Sequence, residues 1–96
     1  MKFLTLVIIT PEGEFARLEC DSVTAFARDN EEGSGGGSFG IRPGHLPLLA
    51  ALEKGSPIKP SKNGVPLPRY CTEGGFLNVR DDTVTVVTPG IAQEAI

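Results

Sequence analysis

Ninety-six residues with a net charge of −3 make one domain with one core, since a chain this long buries roughly two-thirds of the surface its unfolded form exposes. Hydrophobic residues at 40% and charged residues at 22% are ordinary for a globular domain. The length excludes a fold built from two βαβαβ halves. The scattered Lys and Arg lack the basic stripe of a nucleic-acid binder.

The chain opens on "KFLTLVII" (2–9), a Leu/Val/Ile-rich strand signal, and "TPEGE" (10–14) supplies a turn. No run approaches the ~18 apolar residues needed to span a membrane, and the opening residues lack the cleavage site of a secretory signal. A cytosolic setting follows as the expectation. The two cysteines, Cys20 and Cys71, then read as small core residues rather than a disulfide.

"FARLEC" (15–20) and "VTAFAR" (23–28) read as the next strands, parted by Asp21 and Ser22. After a glycine-rich segment, "FGI" (39–41) is a short strand. "PLLAALEKG" (47–55) suits a helical turn or a strand. "GVPLPRYCT" (64–72) carries Pro66 and Pro68, which suits an edge strand or a bulge. The clearest element is "FLNVRDDTVTVVT" (76–88), two alternating runs about Asp81-Asp82. A two-residue turn there puts Leu77, Val79, Val84 and Val86 on one buried face, and Asn78, Arg80, Thr83 and Thr85 on the other. A three- or four-residue loop is the alternative, because Asp-Asp is a weaker turn signal than Asp-Gly. The pattern as a whole predicts an all-β domain, eight to ten short strands packed as a sandwich.

"GGGSFG" (35–40) matches the G-x-G-x-x-G spacing of dinucleotide loops. That mechanism needs a helix straight after the loop, so that the helix N-terminus can hold phosphate. Pro43, Gly44 and Pro47 fall where the helix would run, and a proline in a helix interior costs ~3 kcal/mol. The segment is therefore expected to be a solvent-exposed loop. Glu31-Glu32 and Asp81-Asp82 read as solvated turn residues. His45 has no nucleophile in a recognisable local motif.

The run "GSFGIRPGHLPLLAALEKG" (37–55), followed by "EGGFLNVRDDTVTVVTPGIA" (73–92), resembles the epsilon subunit of bacterial F-type ATP synthases, called delta in mitochondria. Gly37, Gly40, Ile41, Pro43, Gly44, His45, Pro47, Leu48 and Leu49 fit the family's G-x-x-G-I-x-P-G-H-x-P-L-L signature. Gly74, Gly75, Phe76, Leu77 and Val79 match its Gly-Gly strand, and Val84-Thr85-Val86 its "VTV" strand. "LVIITPEGEF" (6–15) matches its opening strand and turn.

The resemblance implies a β-sandwich of about ten strands over residues 1–92, with 93–96 as a tail. It implies a non-catalytic rotor subunit of the central stalk with no cofactor, metal or small-molecule substrate. Its partners would be the gamma subunit and the c-ring, at the cytoplasmic face of the membrane, coupling proton or sodium flow to ATP synthesis and hydrolysis. Gamma contacts carry over to Pro43, Gly44, His45, Pro47 and Leu48. Contacts with the c-ring carry over to Glu31, Glu32, Ser38 and Arg42. Many members continue into a C-terminal helical hairpin, and this sequence ends at "PGIAQEAI" before it.

Elementary chemistry gives that site sense. Pro43-Gly44 has the residues of a type II turn, Pro second and Gly third. The turn would present His45 at a fixed angle, either to a partner or packed against a backbone carbonyl. Leu48, Leu49 and Leu52 would divide between core and interface. Two other function classes compete. A small ligand-binding sandwich would want clustered aromatics, and the chain has six, none of them Trp. A small hydrolase or nucleotide enzyme would want a nucleophile–base pair.

Overall fold

The computed structural model describes residues 2–27 and 37–94. It holds nine strands and no helix among the described residues: β1 Leu4–Thr10, β2 Gly13–Cys20, β3 Ser22–Ala27, β4 Gly37–Ile41, β5 Leu48–Lys62, β6 Val65–Pro66, β7 Arg69–Arg80, β8 Thr83–Val87 and β9 Ile91–Glu94. All join one mixed sheet in the order β2-β1-β8-β7-β5-β3-β4, with β6 on β5 and β9 on β7. The segment 47–55, open between helix and strand in the sequence, enters β5. Gln93 and Glu94 pair with Tyr70 and Arg69, so pairing extends into the expected tail.

Two long strands turn this sheet into a sandwich. The first half of β5 pairs with the second half of β7, and β7 continues the row through β8, β1 and β2. Their other halves carry β3, β6 and β9. Between the halves the β5–β7 register slips, between Lys54 and Pro57. A bulge of this kind bends a strand and sharpens its twist. Gly55 (φ 82°) lies in the slip, and Gly74 (φ 86°) and Gly75 (φ 106°) lie across from it. Only glycine adopts such angles without strain. Along β7 the buried positions are Tyr70 and Thr72 before the bend and Leu77 and Val79 after it, a switch from even to odd. The two halves thus close on one core, with Leu4, Leu6, Ile8, Leu77, Val79, Val84 and Val86 facing Val23, Ala25, Ile41, Ile58 and Tyr70.

The β7–β8 hairpin has the two-residue turn. Arg80 pairs with Thr83, Val79 with Val84 and Leu77 with Val86. Asp81 (φ 51°) and Asp82 (φ 58°) are both left-handed, as a type I′ turn requires. Asn63-Gly64 makes a second such turn, with φ of 54° and 78°, joining β5 to β6. That dipeptide is the strongest short hairpin signal, and it escapes a reading guided by Pro66 and Pro68. β1 and β8 run parallel, Thr5 beside Thr83 and Ile9 beside Val87, a pairing of chain ends that no local pattern announces.

Cys20 is a core residue with no solvent exposure, and burial pushes its thiol up from 9.0 to about 11. Cys71 is half-buried and its Sγ donates to the Gly55 carbonyl at 3.5 Å, helping to hold the bend. Gly37 and Gly40 lie within β4 and lead into Ile41 and a turn, so no helix follows the glycine run. Gly35, Glu31 and Glu32 lie outside the described residues.

Candidate interaction site

β4 ends at Ile41, buried in the core, and β5 begins at Leu48. The connection between them is the Pro-Gly-His segment. The His45 amide donates to the Arg42 carbonyl at 3.1 Å, and Gly44 has a φ of 85°. This is the type II turn that the two residues call for. The Gly44 amide donates to Asp82 Oδ1 at 2.7 Å, which ties the turn to the β7–β8 hairpin. The Asp82 carbonyl in turn accepts from the Thr5 amide at 2.9 Å.

His45 stands exposed beyond the turn. Its Nδ1 lies 2.6 Å from the Leu46 carbonyl oxygen. A carbonyl can only accept, so Nδ1 carries the hydrogen, and the neutral ring then offers Nε2 outward as an acceptor. His45 thus satisfies a backbone carbonyl through Nδ1. Leu46 is 79% exposed.

The three leucines of β5 divide between core and surface. Leu52 is buried, Leu48 is half-buried against the core, and Leu49 is 70% exposed. His45 and Leu48, with Ala27, Phe39, Gly40 and Ala50, line an apolar notch of about 310 Å³. Arg42 and Pro43 line a different, polar hollow of about 370 Å³ with Lys2, Asp21, Ser22, Ser61 and Gly64. The structure therefore gathers His45 and Leu48 on one side of the turn and Arg42 and Pro43 on the other. Pro47 is exposed between His45 and β5, and Ser38 is exposed on β4 opposite Phe26.

Sequence reading missed a second apolar surface. On the outer side of the sheet Ile9, Val87, Phe76 and Ala51 stand in one row across β1, β8, β7 and β5. Ile9, Val87 and Phe76 are 36%, 51% and 55% exposed. Thr10, Pro11, Phe76, Val87, Thr88 and Pro89 border a shallow hollow there. The signal was present in the hairpin's alternation, where Phe76 and Val87 fall out of phase with the buried set.

Comparison with known proteins agrees with this architecture. The family model described as "ATP synthase, Delta/Epsilon chain, beta-sandwich domain" matches residues 3–94. The chain is 37% identical over 95 residues to an ATP synthase epsilon chain of Bacillus thuringiensis, covering 99% of this chain and 64% of that one. It is 33% identical over 87 residues to one of Anoxybacillus flavithermus, covering 91% and 58%. It thus spans about three-fifths of the length of the curated relatives it matches. A chain in the Euglena gracilis mitochondrial ATP synthase structure "OSCP/F1/c-ring in rotational state 1" superposes with a TM-score of 0.74 at 20% identity, over 95% of this chain and 53% of that one. One in the Tetrahymena thermophila mitochondrial ATP synthase "central stalk/cring" structure gives 0.66 at 20% identity, over 95% and 66%. The matched span and the sandwich agree, and the chain belongs to the ATP synthase delta/epsilon chain family, in its β-sandwich domain.

Proposed function

We propose that this domain is a non-catalytic central-stalk part of a rotary ATP synthase. It binds the gamma subunit and the c-ring, and takes part in coupling proton or sodium flow to ATP synthesis and hydrolysis. The observation that carries this reading is the Pro-Gly-His turn, rigid in its backbone yet surrounded by exposed Leu46, His45 and Leu49 beside an apolar notch. Exposed apolar surface gathered beside polar groups marks a protein-contact site. Relatives named ATP synthase epsilon chain support the same assignment.

Within it, gamma contacts are assigned to His45, Leu48, Pro47, Pro43 and Gly44, with Pro43 reaching gamma from the side of the turn opposite His45 and Leu48. Contacts with the c-ring are assigned to Arg42, Ser38, Glu31 and Glu32. The domain would sit at the membrane through the complex, on its cytoplasmic face. Gel filtration of the purified chain mixed with a gamma subunit, and separately with a detergent-solubilised c-ring, tests the proposal. Co-elution with either is expected, and elution apart from both would overturn it.

A further inference from the structure

Type I and type II β-turns differ by a half-rotation of their central peptide. In the turn Arg42–His45 that peptide joins Pro43 to Gly44. Its N–H is the group that donates to Asp82 Oδ1 at 2.7 Å, from 38 positions away in sequence. Proline at the second position suits both turn types, and glycine at the third permits both. The four turn residues therefore favour type II without forbidding type I, and the carboxylate from the other hairpin holds the peptide in the type II orientation.

Asp82 is well placed for that role. Its carbonyl is held by the Thr5 amide at 2.9 Å, and its φ of 58° is set by the hairpin. A left-handed conformation costs an L residue roughly 1–2 kcal/mol, and glycine would escape that cost. Its neighbour Asp81 carries the same backbone cost but sends its side chain, 93% exposed, no nearer than 3.9 Å to Arg80. Of the two, Asp82 alone reaches the Pro-Gly-His turn.

We propose that Asp82 is a positioning residue, a latch that keeps the Pro43–Gly44 peptide in its type II orientation and so presents His45 and the Pro43 carbonyl in a fixed arrangement. That this arrangement serves gamma binding rests on the function proposed above. The latch itself does not.

Two variants of the full chain separate these claims. Asp82→Gly removes the carboxylate and relieves the left-handed strain, so the hairpin keeps its turn. Asp82→Asn keeps an oxygen acceptor in place and tolerates the same φ. In ¹⁵N NMR of the free protein, the Gly44 amide signal is expected to shift upfield and broaden in Asp82→Gly, and to return towards wild type in Asp82→Asn. In calorimetric titration with the gamma subunit, Asp82→Gly is expected to bind about three- to tenfold more weakly, as follows when the binding-competent turn becomes a fraction of the population. Asp82→Asn is expected to recover most of that loss. A Gly44 amide unmoved in Asp82→Gly overturns the latch. A moved amide with unchanged gamma affinity overturns its role in presentation. Failure of the wild-type chain to bind gamma overturns the gamma-binding part of the proposed function, and the latch is then decided by the Gly44 amide alone.

Discussion

Among the described residues the His45 side chain makes one hydrogen bond, to its neighbour's carbonyl, and it stands exposed at the edge of the apolar notch. Removing it takes nothing from the core. Substitutions at exposed sites usually change stability by no more than about 0.5 kcal/mol. His45→Ala is therefore expected to leave the thermal midpoint nearly unchanged and to raise the Kd for gamma about tenfold, the loss of one interface anchor. Calorimetric titration beside thermal unfolding checks both, and unchanged affinity removes His45 from the contact surface. The chemistry of Pro43-Gly44-His45 was legible in the sequence because the type II turn is a local preference of adjacent residues. The Asp82 contact was not. Asp81-Asp82 read as solvated turn residues, and a hydrogen bond between two turns 38 positions apart leaves no local trace.

At the scale of elements, the strand–turn alternation revealed the β7–β8 hairpin and its buried face, down to the pairing of Leu77 with Val86. It did not reveal that β5 runs unbroken through Leu48–Lys62 or β7 through Arg69–Arg80. Glycine and proline inside those runs read as punctuation, whereas Gly55, Gly74 and Gly75 bend the strands without ending them. Gly75 is the tightest point. A Cβ there would run into the Val87 carbonyl oxygen and stand 2.9 Å from Thr88 Cα, at a φ of 106°. Both the backbone angle and the space forbid a side chain. Gly75→Ala is expected to destabilise the domain by at least ~3 kcal/mol, read from urea unfolding against wild type. Gly40→Ala, which has open space around it and no positive φ, serves as the control and is expected to change stability by less than about 1 kcal/mol.

Across the whole molecule, the core that joins the two halves also sets the response to alkali. The unfolded chain gives up its Cys20 proton near 9.0, while the folded chain keeps it until about 11. Between those values the folded state binds more protons than the unfolded one, so stability falls as pH rises. The contribution of Cys20 is fully present below pH 9.0 and is lost by about pH 11, with a slope approaching ~1.4 kcal/mol per pH unit. Tyr70, also raised by burial, adds a decline of the same sign at higher pH. Urea midpoints measured from pH 8 to 11 are expected to decrease steadily, and Cys20→Ala is expected to flatten the first part of that decrease. An equal slope in the variant would assign the alkaline loss to other groups.

The length of β5 has a mechanical side. Its first residue, Leu48, follows the Pro-Gly-His segment directly, and its last, Lys62, lies on the far half of the sandwich. A load applied at the turn is thus carried into the opposite half along covalent bonds and does not have to cross the interface between packed layers. Its hydrogen-bonded neighbour β7 lies alongside on both sides of the bend. Drawing β5 along its own axis strains those ladder bonds together, in shear, and does not open them singly from one end. A pull applied at the turn along β5 is thus shared by the whole β5–β7 ladder on both sides of the bend.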